Sequence, residues 1–401
     1  MDVWLVNPYG PLPGEGWRDY RFTLVGRALA GRGHRVTWWT AAFAHQAKRF
    51  RSHDWATRTA GERFTIELVP TPSYTRNVGL RRLWFEWVFS RRLCRRARSL
   101  NGPDLVIAAD PPQFSGAAGR LLAKHFGVPL VVDCLDLWPE LFISVARPLL
   151  RPFVRMGALP LFALRRRNLR AAELVIAVSD AYRRALAENG PRPLPRAITI
   201  PIGVDVQALA PATPRRDSGR MTVVYAGSLG EAYDLHTVID AAAILRREGV
   251  PVGFVIAGHG PAERRLRDAI GRLGLTNAKL LGAVPVEDLP QVYANADIAI
   301  APYIAGSTVA LPVKLFDYMA AGLPVVTSLR GEAMAFVEGK GIGLAYVAGD
   351  AQSLARAVRL LISDAPRRRS MSAAARAAAL DFDVPKLYDR YAAAVESLVT
   401  S

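Results

Sequence analysis

The chain has 401 residues, 51% of them hydrophobic, which is enough apolar material for two domains with separate cores. Its net charge of +17 is unevenly distributed: residues 1–205 contain 31 Lys and Arg against 16 Asp and Glu, and the remainder contains 21 against 19. This excess favours an anionic partner, whether lipid, nucleic acid or acidic substrate. The two cysteines, at 94 and 134, exclude a disulfide framework and a cysteine metal motif, and they favour a reducing, cytoplasmic location.

Strand-length apolar runs alternate with helix-length amphipathic segments along the whole chain. The start, MDVWLVNPYG, lacks the features of a secretory signal and is expected to be the first buried strand. In the first half the strands are predicted near 3–7, 35–40, 64–69, 104–109, 129–134, 174–179 and 197–202. In the second half they are predicted near 222–227, 252–257, 279–281, 298–301, 324–327 and 344–347. Buried strands separated by helices predict parallel sheets covered on both faces, and two such sets predict an α/β protein with two Rossmann-like, doubly wound domains.

A segment rich in Pro, Ala and charge at 201–220 separates the two sets of strands. We therefore expect domains at 1–205 and 206–375. The C-terminal segment 376–401 is expected to contain a helix that packs back on the first domain. Because ligands of doubly wound sheets bind beyond the carboxyl ends of the strands, the active site is expected in a cleft between the two domains.

The segment LPVKLFDYMAAGLPVV (311–326) predicts a helix that begins after a proline and leads through a Gly-Leu-Pro break into a buried strand. The unpaired N–H groups of the helix start and the amine of Lys314 can hold an anion. The carboxylate of Asp317, one turn further on, can hold ribose hydroxyls. This chemistry predicts a nucleotide-diphosphate site, and an ordinary core helix is the alternative.

Glycine turns follow two strands of the second half, in AGSLGEAYDLHTVIDAA (226–242) and FVIAGHGPAERRL (254–266). Gly227 and Gly230 allow the backbone to approach a phosphate, and the helix that follows offers its positive end. A plain connection between strand and helix is the alternative. The next motif, VPVEDLPQVYANADIAIAPY (284–303), predicts a short helix before another buried strand.

The order of these motifs resembles the donor site of retaining family-4 glycosyltransferases, which have the GT-B fold of two Rossmann-like domains facing across a cleft. The resemblance covers nearly the whole chain and is most specific over 220–330. It implies that the second domain binds a nucleotide-sugar, with UDP as the expected nucleotide, and that no cofactor or metal is required. The donor-binding residues that it implies there are Gly227, Ser228, Gly230, Val284, Val309, Ala310, Leu311, Lys314, Asp317 and Arg330.

Two departures from the family pattern concern charge. Many members have basic residues at the places of Ser228 and Tyr233, and many have a glutamate at the place of Val309. The usual pair of acids is thereby reduced to Asp317. Because a diphosphate in a closed site needs a cation, its charge would have to be balanced by Lys314, Arg330, backbone amides or an arginine of the first domain.

A glycine-rich loop follows the first strand in NPYGPLPGEGW (7–17), where Gly14 and Gly16 flank Glu15. Long loops of this kind in compact domains usually have a function, although a plain surface loop is the alternative. The comparable loop of the family lies beside the donor diphosphate and the acceptor. We therefore expect Gly14 and Gly16 to contact the donor and Glu15 to be a catalytic candidate.

The string VVDCLDLWPELF (131–142) places three carboxylates, Asp133, Asp136 and Glu140, at the end of a buried strand. Asp136 is the catalytic candidate, since a sugar hydroxyl needs a base or hydrogen-bond acceptor, and Trp138 and Glu140 are expected to bind the acceptor sugar. The string is similar to that of bacterial transferases that act on membrane-linked acceptors in O-antigen and capsule assembly. A helix start capped by Asp136 is the alternative.

The segment 75–98 carries eight Arg and one Glu among aromatic residues, which is the profile of an interfacial membrane helix. The residues expected to contact an anionic bilayer are Trp84, Trp87, Arg91, Arg92, Arg95 and Arg96. A second candidate, 143–170, is interrupted by arginines and is too short in its uncharged part to span a bilayer. A core helix with solvated arginines is the alternative; nucleic-acid binding lacks any supporting motif.

These observations predict a hexosyltransferase that is peripheral on the cytoplasmic face of the cell membrane, and the resemblance alone implies that it is a retaining enzyme. It would move a hexose or N-acetylated deoxyhexose from a UDP-sugar to a polyprenyl-diphosphate-linked saccharide during surface polysaccharide synthesis. A nucleotide-sugar 2-epimerase, which can share the two-domain architecture, is the second hypothesis. The third is a catalytically silent sugar-nucleotide-binding partner of an assembly complex.

Overall fold

The computed structural model describes residues 1–77, 79–209 and 220–399, so most of the predicted linker at 201–220 lies outside the described residues. The chain divides into two compact units. The first is Met1–Ile202 together with the segment from Pro385 onward, and the second is Gly203–Val384.

The first unit contains a sheet that is parallel except at one edge. The strands of this unit are β1 (Asp2–Val6), β2 (Arg35–Ala41), β3 (Phe43–Ala44), β4 (Arg49–Phe50), β5 (Ala56–Gly61), β6 (Phe64–Val69), β7 (Leu105–Ala109), β8 (Leu130–Cys134), β9 (Leu174–Ala177) and β10 (Ala197–Thr199). Its helices are α1 (Arg21–Gly31), α2 (Leu80–Ala97), α3 (Gln113–Phe126), α4 (Glu140–Val145), α5 (Arg151–Arg170) and α6 (Asp180–Asn189). The strand order is β10-β9-β8-β7-β1-β2-β6-β5, and β3 and β4 form a separate antiparallel pair.

The second unit contains a fully parallel sheet. Its strands are β11 (Met221–Ala226), β12 (Val252–Ala257), β13 (Ala278–Gly282), β14 (Ile298–Ala301), β15 (Val325–Thr327) and β16 (Gly343–Ala345). Its helices are α7 (Val206–Leu209), α8 (Leu235–Arg247), α9 (Glu263–Arg272), α10 (Leu289–Ala294), α11 (Val313–Ala320), α12 (Glu332–Gly339), α13 (Ala351–Ser363) and α14 (Ala365–Ala379), and α15 (Val384–Glu396) returns to the first unit. The order β13-β12-β11-β14-β15-β16 is that of a dinucleotide-binding Rossmann sheet, whose ligand crevice opens between the first and fourth strands.

Burial on both faces explains why β11 is apolar from Val223 to Ala226. Val223 and Tyr225 belong to one buried cluster, and Val224 and Ala226 belong to the cluster on the opposite face. Successive side chains of a strand point to opposite faces, so both faces of the sheet are covered by helices. The fold expected from the sequence, an α/β protein with two Rossmann-like domains, is confirmed.

Two features of the first unit differ from the sequence prediction. The edge strand β5 was not predicted, and it runs antiparallel to β6. Its residues are mostly exposed, so it lacks the continuous apolar run by which the other strands were recognised. The segment 143–170 is divided into the end of α4, a 3₁₀ turn at Pro148–Leu150 and α5.

Candidate active site

Three glycine turns lie side by side at the carboxyl edge of the second sheet. The N–H of Gly227 donates to the carbonyl of Ala257 at 3.0 Å, and the N–H of Gly258 donates to the carbonyl of Gly282 at 2.7 Å. A Cβ on Gly258 would lie 1.8 Å from the Gly227 carbonyl oxygen, and its φ of +147° also favours glycine. The predicted glycine turns after β11 and β12 are therefore packed backbone against backbone, which no larger residue would allow.

Helix α11 follows β14 and starts near the glycine turn that follows β11. These two neighbouring strands form the switch point of the sheet. The hydroxyl of Tyr318 accepts from the N–H of Ala226 at 3.2 Å and donates to the carbonyl of Ile300 at 3.2 Å, so this side chain joins α11 to both strands. The helix follows Pro312 and has no acidic residue in its first turn. Its free N–H groups and positive dipole end thus face the region where a Rossmann sheet binds phosphate.

The amine of Lys314 lies against the first glycine turn, in an enclosure of three tyrosines. Its Nζ donates to the Tyr225 hydroxyl at 3.1 Å, and it lies 4.2, 3.9 and 5.4 Å from the ring centroids of Tyr225, Tyr233 and Tyr303. A Cβ on Gly227 would stand 3.0 Å from this Nζ. The glycine therefore leaves room for the amine at the switch point.

Burial lowers the pKa of the Lys314 amine from 10.5 to about 7, and the charge of Asp317 opposes this effect only partly. The ring faces favour the cation, but they do not replace the water that it loses. An anion bound here would restore the charged form. None of these tyrosines is among the predicted site residues, although Tyr233 stands where many family members have a basic residue. Their positions, 225, 233 and 303, come together only in the folded sheet.

The other predicted donor residues of the second unit follow the carboxyl ends of its strands. Ser228 and Gly230 follow β11, and among the described residues their N–H groups have no hydrogen-bond partner. Asp317 is buried on α11, with 7% of its surface exposed, whereas Arg330 is exposed after β15. The remaining ones lie in the loops after β13 and β14, where they pack partly against the core: Val284, Val309, Ala310 and Leu311.

The loop after β1 in the first unit is fixed by an ion pair of Glu15. Both of its carboxylate oxygens accept from Arg51, at 2.8 Å each, and one also accepts from the N–H of Leu12. Burial alone would raise the pKa of Glu15, but the hydrogen bonds from Arg51 and Leu12 hold it below its ordinary value. This geometry gives Glu15 a structural part and does not support the predicted catalytic role. Gly14 and Gly16 are exposed in the same loop, with φ of +82° and +76°.

Asp136 is partly buried beyond the end of β8. Its carboxylate accepts from the N–H of Leu137 at 2.8 Å, from the indole N–H of Trp138 at 3.2 Å and from the hydroxyl of Tyr182 at 3.4 Å. Burial raises the pKa of Asp136 despite these three donors. A carboxylate with a raised pKa and a fixed orientation is suited to accept a hydrogen bond or proton from a sugar hydroxyl.

The predicted acceptor residues Trp138 and Glu140 are engaged within the first unit. Only 8% of Trp138 is exposed, and the guanidinium of Arg82 lies 3.9 Å from its ring centroid. The structure does not support the prediction that Trp138 binds the acceptor sugar, because the indole ring is covered. Glu140 pairs with the buried Arg165, whose NH1 group lies 2.8 Å from Oε2.

Asp133, which was expected to face the site, is instead part of the core. Its carboxylate receives two hydrogen bonds from the guanidinium of Arg21, at 2.8 and 3.0 Å, and both side chains are fully buried. Tyr391 of α15 donates to the same carboxylate at 3.0 Å. Arg21 also donates to the carbonyl of Ile200, so this network joins α1, β8, the end of β10 and α15.

Asp110 is a titratable group that sequence reasoning missed. It follows β7 at the switch between β1 and β7, and burial raises its pKa to about 6. One oxygen accepts from Asn168 at 3.1 Å, whereas Oδ1 is buried and has no hydrogen-bond partner among the residues that the structure describes. An acid directly after a buried strand and before two prolines was the available signal. No group of three His, Cys, Asp or Glu suited to a metal ion occurs among residues 1–77, 79–209 and 220–399.

Helix α2 carries the predicted membrane residues on an exposed face. Trp84 is 55% and Trp87 is 38% exposed, and their rings stack with centroids 5.0 Å apart. Arg91, Arg92, Arg95 and Arg96 are all exposed, and Arg92 also donates to the carbonyl of Pro70 at 3.0 Å. In the part of the chain that the structure describes, no helix has both the length and the apolar character needed to cross a bilayer.

Two protein-family models match the chain, and they meet close to the boundary between the two units. Residues 22–208 match the model described as Glycosyltransferase Family 4, and residues 208–378 match the model described as Glycosyl transferases group 1. The chain is 28% identical over 191 residues to the putative colanic acid biosynthesis glycosyltransferase WcaL of Escherichia coli, which is 47% of each protein. It thus spans about half the length of that relative. It is also 28% identical over 387 residues to the GDP-mannose-dependent alpha-(1-6)-phosphatidylinositol monomannoside mannosyltransferase of Mycobacterium tuberculosis, covering 93% of this chain and 91% of the other.

Solved structures support the same fold. Sucrose-phosphate synthase of Thermosynechococcus elongatus matches with a TM-score of 0.78 at 17% identity, over 100% of this chain and 99% of the other. HepE of Anabaena, solved with UDP and glucose, matches with a TM-score of 0.70 at 22% identity, over 99% and 100%. At these identities the likeness establishes the architecture alone. Since the two family models together extend over residues 22–378, the chain belongs to the family 4 and group 1 glycosyltransferases of GT-B architecture.

Proposed function

We propose that this protein is a retaining glycosyltransferase of surface polysaccharide synthesis, and that it uses a UDP-sugar. The sugar is a hexose or N-acetylated deoxyhexose, and the acceptor is a polyprenyl-diphosphate-linked saccharide. Membership of the family supports the reaction class, and the WcaL relative, named for colanic acid biosynthesis, supports the process. The UDP in the HepE structure supports the nucleotide, although the mycobacterial relative is named for GDP-mannose.

The observation that carries the proposal is the amine of Lys314 beside the glycine turn at Gly227. A cation, free N–H groups at Ser228 and Gly230 and the start of α11 together suit a diphosphate. As the bond from the anomeric carbon to the diphosphate breaks, charge accumulates on the leaving phosphate. These groups then stabilise that charge, which is how such transfer is accelerated. The charge of Asp317 acts to raise the pKa of Lys314, so the two side chains are near each other. Asp317 is assigned to bind the ribose.

The first unit is assigned to the acceptor, with Asp136 as the group that accepts a hydrogen bond from the attacking hydroxyl. The exposed aromatic and basic face of α2 supports peripheral attachment to the inner face of the cell membrane, where a lipid-linked acceptor resides. The domain roles are therefore acceptor and membrane for the first unit, and donor for the second.

The test is incubation of the protein with radiolabelled UDP-sugars and GDP-mannose, together with lipid-linked saccharides from cells that make surface polysaccharide. Label extracted with the lipid supports the proposal, and the anomeric configuration of the product by NMR tests retention. A chemically changed free sugar would support the 2-epimerase instead. Saturable donor binding without any turnover on the whole panel would support the silent binding partner.

A further inference from the structure

Helices α2, α3 and α5 of the first unit enclose an open groove of about 600 Å³, and the residues that line it include none of those assigned to sugar transfer. Helices α2 and α5 both pack on α3, and α2 and α3 run in the same direction. The direction follows from two contacts, since Ser90 donates to the carbonyl of Phe114 and Cys94 to that of Ala118. The floor between the helices is apolar, with Phe114, Ala117, Ala118, Leu121 and Leu164.

One side of the groove is a row of cations. Arg91, Arg95 and Arg98 line it at spacings of four and three residues, so their side chains follow one another along a single face of α2. The described residues place no carboxylate within ion-pair distance of these three arginines. Like charges at this spacing destabilise a helix, and an anion that lay along the row would remove that cost.

The α2 side of the groove is continuous with exposed aromatic side chains. The row of arginines extends at its N-terminal end into the stacked rings of Trp84 and Trp87, and the Arg91 guanidinium lies 5.3 Å from the Trp87 ring centroid. On α5, Phe153 is 67% exposed and Met156 is 64% exposed. Exposed apolar surface of this extent, rimmed by cations, is typical of a face that contacts lipid.

We propose that the groove is a binding site for one anionic phospholipid of the bilayer. One acyl chain occupies the apolar floor beside Ala117 and Leu121, and the phosphate lies on the arginine row. The complementarity of apolar floor and cationic rim selects this occupant, because a neutral lipid leaves the arginines unpaired and a soluble anion leaves the floor exposed to water. The inference rests on the proposed membrane attachment and makes it specific, since diffuse charge attraction requires no groove.

The test distinguishes lipid binding inside the groove from general attraction of lipid to a charged surface. Ala117→Phe fills the floor without changing charge, and Ala187→Phe on α6, an exposed position outside the groove, is the matched control. The probe is dihexanoylphosphatidylglycerol below its micelle concentration, and binding is followed by isothermal titration calorimetry. We expect saturable binding of one lipid to the natural chain and to Ala187→Phe, at least tenfold weaker binding to Ala117→Phe, and much weaker binding of dihexanoylphosphatidylcholine.

Equal binding of the two lipids, or an unaffected Ala117→Phe variant, would overturn the proposal. A groove that binds farnesyl phosphate in preference to the phosphatidylglycerol would also overturn it, in favour of the acceptor lipid. Thermal unfolding and UDP affinity are measured on both variants to confirm that the fold is retained. Loss of lipid selectivity with sugar transfer intact removes only this inference, whereas lipid binding without sugar transfer removes the proposed reaction.

Discussion

Replacement of Lys314 by Met tests the donor site directly. The side chain of Met has nearly the same length, so it can occupy the space between the rings of Tyr225, Tyr233 and Tyr303 without the charge. The change removes the amine that contacts the turn at Gly227. It leaves the backbone of the three glycine turns and the start of α11 in place.

The expected changes in UDP affinity and in stability follow from the contacts of the Lys314 amine in the UDP complex and in the free protein. In the complex it donates to a phosphate oxygen, and a hydrogen bond between charged partners contributes about 1.5–3 kcal/mol. Its loss therefore weakens UDP binding by about 10- to 100-fold. In the free protein the amine is held where burial lowers its pKa to about 7, so its removal is not expected to destabilise the second unit.

Isothermal titration with UDP measures the first effect, and thermal unfolding measures the second. The control is Lys279→Met on β13, which removes an exposed charge of the same unit away from the glycine turns. An affinity within twofold of that of the natural chain, in a variant that is fully folded, would refute the assignment of the diphosphate to Lys314. Unfolding at a clearly lower temperature would show that the amine stabilises the core instead.

Three further changes test other parts of the argument. Burial lowers the pKa of Lys314 to about 7, and a bound diphosphate favours the charged amine, so UDP affinity should fall as pH rises above 7, by up to about tenfold per pH unit. Calorimetric titration with UDP at several pH values measures this dependence. The Lys314→Arg variant, whose side chain stays charged, should lack it. Asp133→Asn leaves the buried Arg21 without its carboxylate and should cost about 3–5 kcal/mol in denaturant unfolding, with exposed Asp54→Asn as the neutral control. Gly258→Ala forces a Cβ onto the Gly227 carbonyl and should lower both stability and UDP affinity, whereas Gly271→Ala, which meets open space in α9, should not destabilise.

The parallel strands and the glycine turns of the second unit could be predicted because their signals are local. Each buried strand is largely a continuous apolar run, and the glycine turns after β11 and β12 begin directly after such a run. The segment 311–326 carries both Lys314 and the start of α11 within a few residues. The fold then brings these short segments to one sheet edge without further information from distant residues.

The interpretation of the first unit was weaker because its polar residues have distant partners. Nothing near Arg21 in the sequence indicates full burial, since its partner Asp133 is 112 residues away. Trp138 stands among acids and a proline, as an exposed ring would, yet Arg82 covers it from α2. A carboxylate at a strand end can therefore be a core ion pair or a catalytic group, and only the identity of its partner separates the two.

That distinction explains why Asp136 remains the candidate of the first unit. Asp133 and Glu15 are each held by a guanidinium, Arg21 and Arg51, and a carboxylate so paired has little tendency to accept a further proton. Asp136 receives only neutral donors and has its pKa raised by burial. The charge of Arg82 lowers the pKa of Asp136 without outweighing burial. Asp110 also has a pKa raised by burial, but only 1% of it is exposed, whereas the partly buried Asp136 can be reached by a sugar hydroxyl.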